Sequence, residues 1–78
     1  MKIIFGKYIA IDPHILVGKP VIKGTRIPID LILKKLSQNI TVEEILKDYP
    51  RLNEKHIQEI MAYAYSLVSK EKVYPLYN

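Results

Sequence analysis

The sequence changes its pattern at Pro28, and this change limits the folds that the chain can adopt. Before Pro28, short apolar runs are interrupted by glycine and proline, which is typical of short strands and turns. After Pro28, apolar residues recur at helical spacing. We therefore expect one mainly α-helical domain over residues 1–78. It divides into a strand-and-turn segment (7–27), a three-helix bundle (28–70) and a tail (71–78).

Two short strands are predicted in the first segment, at residues 8–11 and 21–22, and residues 15–17 continue the extended pattern. Pro20 lacks a backbone donor, so the strand beside it must be very short or lie at an edge. Two such strands are not stable alone in water. We expect them to lie on the helices or to pair with strands of a second copy.

The first two predicted helices carry clear end signals. Pro28 suits the first helical position, and Asn39 suits the left-handed conformation that ends a helix. The apolar face between them has the spacing i, i+3, i+4, i+7 and consists of Ile29, Ile32, Leu33 and Leu36. Thr41 and Glu44 form a capping box for a second helix over about 42–48, which ends before Pro50.

The third predicted helix is the longest. Asn53 caps its start, and the helix should reach about Lys70. Its predicted buried stripe consists of Ile57, Ile60, Met61, Ala64, Leu67 and Val68. The short connection between the second and third helices matches a helix-turn-helix motif.

Several classes of site are excluded or disfavoured. The absence of cysteine excludes disulfides and thiolate zinc sites. His14 and His56 are far apart in sequence and are expected as surface or capping residues. No nucleophile motif is present, so we expect neither an enzyme nor a cofactor or metal.

No apolar run is long enough to cross a membrane, and no signal peptide is evident, which favours a cytoplasmic protein. The small core favours a homodimer or a docking partner.

The formal charge of +4 is unevenly distributed. Most of the excess lies before residue 31, while residues 53–78 are balanced. A basic surface favours nucleic acid as a partner through phosphate neutralisation, although the same charge also aids solubility.

In a helix-turn-helix protein, the third helix would present its first turns to the major groove. The predicted outward residues there are Glu54, Lys55, Gln58, Glu59 and Ala62. Gln58 can read adenine, and Lys55 can reach guanine or phosphate. The two glutamates oppose this interpretation, because carboxylates repel phosphates, and they favour a solvated helix face.

The strongest cationic feature is the glycine-flanked segment over residues 18–26. Lys19, Lys23 and Arg26 lie beside the Thr25 hydroxyl, and such a loop can hold a phosphate through cations and backbone amides. The alternative is a structural turn with glycine at positive φ and with Arg26 tied to a carboxylate such as Asp30.

Three stretches of the chain resemble the family called domain of unknown function 433. They are IDP at residues 11–13, GKPVIKGTRIPIDLIL and ITVEEILKDYPRLNEKHIQEIMAYA, and the resemblance covers roughly residues 8–65. The chain departs from the family at Asn39, where glycine is usual, and asparagine tolerates the same backbone.

The resemblance implies a small prokaryotic protein with a homeodomain-like or winged three-helix fold, of a kind often described as an antitoxin. Such a protein would block a PIN-like ribonuclease toxin and repress its own promoter. The positions that match the family motif are Gly18, Pro20, Ile22, Gly24, Thr25, Arg26, Pro28, Tyr49 and Pro50. Several of them look structural, because glycine permits turns and proline favours rigid extended geometry.

Two hypotheses follow. In the first, a homodimer binds double-stranded operator DNA, and its contacts are Lys19, Lys23, Thr25, Arg26, Lys55 and Gln58. In the second, the protein is an interaction module whose helices and residues 74–77 dock on a nuclease without DNA binding. The two roles can coexist in an antitoxin.

Overall fold

The computed structural model describes residues 2–69, which form three helices and one three-stranded antiparallel sheet. The strands are β1 (Ile3–Phe5), β2 (Ile9–Ile11) and β3 (Val21–Ile22). The helices are α1 (Ile29–Ser37), α2 (Val42–Asp48) and α3 (Glu54–Ser69). No helix within residues 2–69 is both long and apolar enough to span a bilayer. The predicted tail lies outside the described residues.

The two predicted strands are confirmed as β2 and β3. They pair with each other and pack on the helices of the same chain. The element that sequence reasoning missed is β1, which pairs with β2 and places Ile3 opposite Ile11 and Phe5 opposite Ile9. The strand order is β1-β2-β3, so β2 lies in the middle. The strands therefore give no reason of their own to expect a second copy.

The extended pattern expected at residues 15–17 is wrong, because the chain makes a tight turn at Leu16–Gly18. All three residues have positive φ: 48° for Leu16, 55° for Val17 and 81° for Gly18. Glycine adopts this conformation freely, whereas a β-branched residue such as valine is strained there. The Val17 side chain is 96% exposed.

The predicted helix ends are largely confirmed. Pro28 is still extended, with φ −75° and ψ 143°, so α1 begins one residue later than expected. Asn39 has the expected left-handed backbone, with φ 68°. Thr41 and Glu44 form the capping box through two hydrogen bonds of 3.1 Å.

Asn53 caps α3 as predicted. Its Oδ1 accepts hydrogen bonds from the backbone amides of Lys55 (2.8 Å) and His56 (3.3 Å). In return, the Asn53 amide donates to Nδ1 of His56 at 3.0 Å. His56 is therefore a capping residue, which was one of the two roles expected for it.

All but one member of the main hydrophobic cluster are isoleucines. The cluster joins β2, β3, the three helices and the α2–α3 turn, and consists of Ile9, Ile22, Ile29, Ile32, Ile45, Leu52, Ile57 and Ile60. Apolar burial is the main favourable term in folding, so this cluster holds the strands and helices together.

Of the six residues in the predicted buried stripe of α3, two are buried. Ile57 and Ile60 are buried, but Met61, Leu67 and Val68 are 50%, 54% and 74% exposed. The periodicity is helical throughout, yet Ile60 is the last buried residue of α3. Cover after Ile60 is only partial: Tyr63 packs against the core cluster and against Phe5, whereas Met61, Leu67 and Val68 face solvent.

Glu59 was expected to point outward, and this is also wrong. Its carboxylate is half-buried and accepts hydrogen bonds from the backbone amides of Lys7 (3.1 Å) and Tyr8 (2.7 Å). The Tyr8 ring lies 4.4 Å from the His56 ring, measured between centroids. The β1–β2 turn is thereby fastened to the first half of α3.

Gly6 makes this close approach possible. A Cβ atom at Gly6 would lie 2.5 Å from Cδ of Glu59, and the backbone there has φ 60°. Gly24 offers a comparison, because its φ is 80° and no atom lies within 4 Å of a Cβ placed there.

We predict that Gly6→Ala lowers the free energy of unfolding by about 2–4 kcal/mol, since it strains the backbone and displaces a carboxylate that accepts two hydrogen bonds. The matched control Gly24→Ala carries only the backbone strain and should cost about 1 kcal/mol. Urea denaturation of both variants measures the difference. Equal losses would show that the Glu59 contact contributes nothing.

Candidate functional site

The basic turn, which we define as residues 23–26 between β3 and α1, is shaped by Thr25. The Thr25 hydroxyl donates to the Ile22 carbonyl (2.7 Å) and accepts from the Ile27 amide (3.0 Å). The Thr25 amide donates to the same carbonyl at 2.9 Å, and Gly24 takes the positive φ that the turn requires. Thr25 therefore stabilises the turn, and its hydroxyl proton is already donated to the Ile22 carbonyl.

The structure brings Arg51, from the α2–α3 turn, beside the basic turn. Its Nη2 lies 3.4 Å from the Gly24 carbonyl oxygen. Lys23, Arg26 and Arg51 are all exposed. A shallow depression of about 440 Å³ lies between the two turns and is lined by Ile15, Gly24, Thr25, Arg26 and Arg51.

We call Lys23, Arg26 and Arg51 the cationic cluster. Arginine presents a planar fork of donors that matches phosphate oxygens, and lysine adds a point charge. Sequence reasoning missed Arg51, because it lies 27 residues from Gly24 and no local pattern connects the two turns. The only sequence signal for a functional role of Arg51 was its position in the short turn before α3, and this signal is weak.

Lys19 has a different environment from the cationic cluster. Its Nζ forms a salt bridge of 3.0 Å with Oδ2 of Asp30, at the start of α1. The alternative that tied Arg26 to Asp30 is therefore wrong, since Lys19 is the partner. The neighbouring carboxylate offsets the charge of Lys19, while Arg26 faces the depression beside Arg51.

Lys55 and Gln58 lie on the exposed side of α3, as expected. With Lys7 from the β1–β2 turn, they line an open groove beside α3. Of the two glutamates that opposed a nucleic-acid interface, Glu59 is turned toward the backbone amides of that turn. Only Glu54 stays exposed beside Lys55.

The glycines and prolines of the family motif have structural roles in the turns and at the start of α1. Gly18 and Gly24 have φ values of 81° and 80°. The Pro20 carbonyl accepts a 2.9 Å hydrogen bond from the Ile29 amide, and Pro28 forms a bridge with Val21. These contacts fix the start of α1 against β3.

Tyr49 and Pro50 belong to the α2–α3 turn. The Tyr49 side chain is half-buried and packs against the core, whereas Pro50 is exposed. The Leu52 amide donates to the Tyr49 carbonyl at 2.9 Å, which closes the turn that carries Arg51.

The remaining sequence candidates are not assembled into a metal centre. Within residues 2–69, no three side chains of the metal-binding types lie close enough to hold an ion. Asp12 instead accepts a 2.9 Å hydrogen bond from the His14 amide, as in a local turn.

Comparison with known proteins gives one match. No curated protein and no solved structure matches the chain. A family model described as "Protein of unknown function (DUF433)" matches residues 9–64. The matched region includes the basic turn, the α2–α3 turn and the first half of α3. Because the match spans most of the sequence, the chain belongs to the DUF433 family.

Proposed function

We propose that this protein is an antitoxin-type DNA-binding regulator that acts in the cytoplasm as a homodimer. Its role is binding rather than catalysis: it binds operator DNA and neutralises a PIN-like ribonuclease. The observation that carries the DNA-binding part is the contact between Arg51 and Gly24, which places the arginine of the α2–α3 turn beside the basic turn.

The proposed reading unit is α2, residues 49–53 and α3, arranged as a helix-turn-helix. In that motif the first helix crosses the DNA backbone, and the start of the second reaches base edges. Lys55 and Gln58 occupy this position on α3, where glutamine pairs with adenine and lysine reaches guanine or phosphate. Glu59 does not oppose the contact, since its carboxylate is bound to the β1–β2 turn.

The cationic cluster would bind phosphates beside that unit. Phosphate contacts fix the position of a protein on the duplex and provide much of its affinity. All three side chains are exposed, Arg26 and Arg51 line one depression, and Arg51 lies three residues before the start of α3, which suits this role. We leave Lys19 out of the contact set because Asp30 already pairs with it, and Thr25 acts by shaping the turn.

A protein-interaction role is the second candidate, and the turn at Leu16–Gly18 favours it. Val17 combines an unfavourable backbone conformation with a fully exposed apolar side chain. Strained residues persist where the surrounding structure holds them, and they are frequent in ligand-binding segments. We propose Val17 as a contact for the nuclease partner, a role compatible with DNA binding elsewhere.

The DNA-binding proposal predicts that Arg26→Gln and Arg51→Gln each weaken binding to the upstream promoter by about tenfold at low salt. Each variant should also reduce the slope of log affinity against log salt by about 0.9, since one phosphate contact is lost. Fluorescence anisotropy with a labelled duplex measures both quantities.

The matched control is Lys34→Gln, which removes one positive charge from the exposed side of α1 beside the Lys19–Asp30 pair, outside the proposed contacts. It should leave affinity within about twofold of the unaltered protein. If all three variants weaken binding equally, net charge rather than the cationic cluster is responsible. If no binding occurs at low salt, the DNA-binding proposal is wrong.

The interaction role predicts that the protein co-purifies with the product of the adjacent gene, and that Val17→Glu weakens this complex by at least tenfold. Isothermal titration calorimetry with the purified partner provides the measurement. Unchanged affinity in the variant would remove Val17 from the interface, and the absence of any complex would remove the toxin partner.

A further inference from the structure

The open groove between the β1–β2 turn and α3 has a lysine on each wall. Lys7 lines the groove from the turn, and Lys55 lines it from the first turn of α3. Gln58 and Ala62 continue the helix wall, and the volume of the groove is about 510 Å³. We call it the lysine groove. It combines one cation from the N-terminal segment with one from the third helix.

Both positive charges of the lysine groove are available to a ligand. Lys7 and Lys55 are exposed, and the one salt bridge among residues 2–69 lies at the start of α1 and involves neither of them. The Glu59 carboxylate also lines the groove, but its two oxygens accept hydrogen bonds from the backbone amides of Lys7 and Tyr8. The groove therefore presents two lysine ammonium groups against one carboxylate that already has hydrogen-bond partners.

The position of Lys7 is fixed by its neighbour Tyr8. The Tyr8 amide donates to Glu59 at 2.7 Å, and the Tyr8 ring packs against His56, so the turn is held to the first half of α3. The Tyr8 carbonyl accepts a hydrogen bond of 2.7 Å from the Lys23 amide, at the first residue of the basic turn. The segment that carries Lys7 is thus in direct contact with both the helix and the basic turn.

A second groove, between α2 and α3, lies on the other side of Lys55 and Gln58. It contains the carboxylate of Glu54 and the apolar side chains of Val42 and Met61. An anionic ligand is attracted by two ammonium groups and repelled by an exposed carboxylate. The lysine groove is therefore the better of the two for a phosphate.

An α-helix with its side chains is about 10–12 Å across, and the major groove of B-DNA is about 12 Å wide. A helix lying in that groove therefore has a sugar–phosphate backbone along its flank. We propose that the lysine groove receives this backbone and that Lys7 contacts one of its phosphates. The contact rests on the DNA binding proposed above. It adds a segment that belongs neither to the helix-turn-helix nor to the cationic cluster.

The test compares binding of the full chain to the upstream promoter duplex and to a duplex of scrambled sequence. Lys7→Gln should weaken binding to both by about fivefold at low salt and lower the salt slope by about 0.9, because a phosphate contact carries no sequence information. Lys7→Arg keeps the charge and should stay within about twofold. Gln58→Ala, which removes a base contact, should weaken binding to the promoter duplex alone.

The matched control is Lys2→Gln, which removes the same charge at the opposite end of β1. It should leave both affinities within about twofold, and circular dichroism should show that every variant is folded. Unchanged binding by Lys7→Gln, while Arg51→Gln binds weakly, would overturn the Lys7 contact and leave the proposed function in place. Equal weakening by Lys2→Gln, or a loss confined to the promoter duplex, would also overturn it. An unaltered chain that binds neither duplex would refute the contact and the proposed function together.

Discussion

The hydrogen bonds from the backbone amides of Lys7 and Tyr8 to the Glu59 carboxylate connect the two halves of the molecule on one side of the core. They hold the β1–β2 turn against α3, and Gly6 is the residue that lets the two approach. The position of β1 depends on this contact. Because β1 is the outer strand of the sheet, the three-stranded arrangement depends on it as well. The contact also turns a carboxylate away from the exposed side of α3.

A second connection lies at the other end of the sheet, where Arg51 meets the Gly24 carbonyl. The fold brings the basic turn beside the α2–α3 turn, which carries Arg51. In the proposed function, phosphate contacts by the cationic cluster would add to base contacts by the start of α3.

Local signals predicted the structure well. The Thr41–Glu44 capping box, the Asn53 cap and the left-handed Asn39 each depend on residues a few positions apart, and all three are present. Failures occurred where distant segments decide the outcome. The docking of Glu59 and the position of Arg51 depend on contacts across 52 and 27 residues. The strand β1 is an exception, because it pairs with the neighbouring β2 through a short turn. The helical period of α3 indicated which side of the helix is apolar. It did not indicate that the fully buried part of this side ends at Ile60.

We propose that the basic turn, the α2–α3 turn and the start of α3 act together in binding DNA. The most direct measurement is a titration of the isotopically labelled protein with promoter duplex, followed by backbone amide NMR. We expect the chemical-shift changes to concentrate at residues 23–26 and 51–58 and to become smaller as the salt concentration rises. Shifts confined to β1 and the second half of α3, or their absence at low salt, would contradict it.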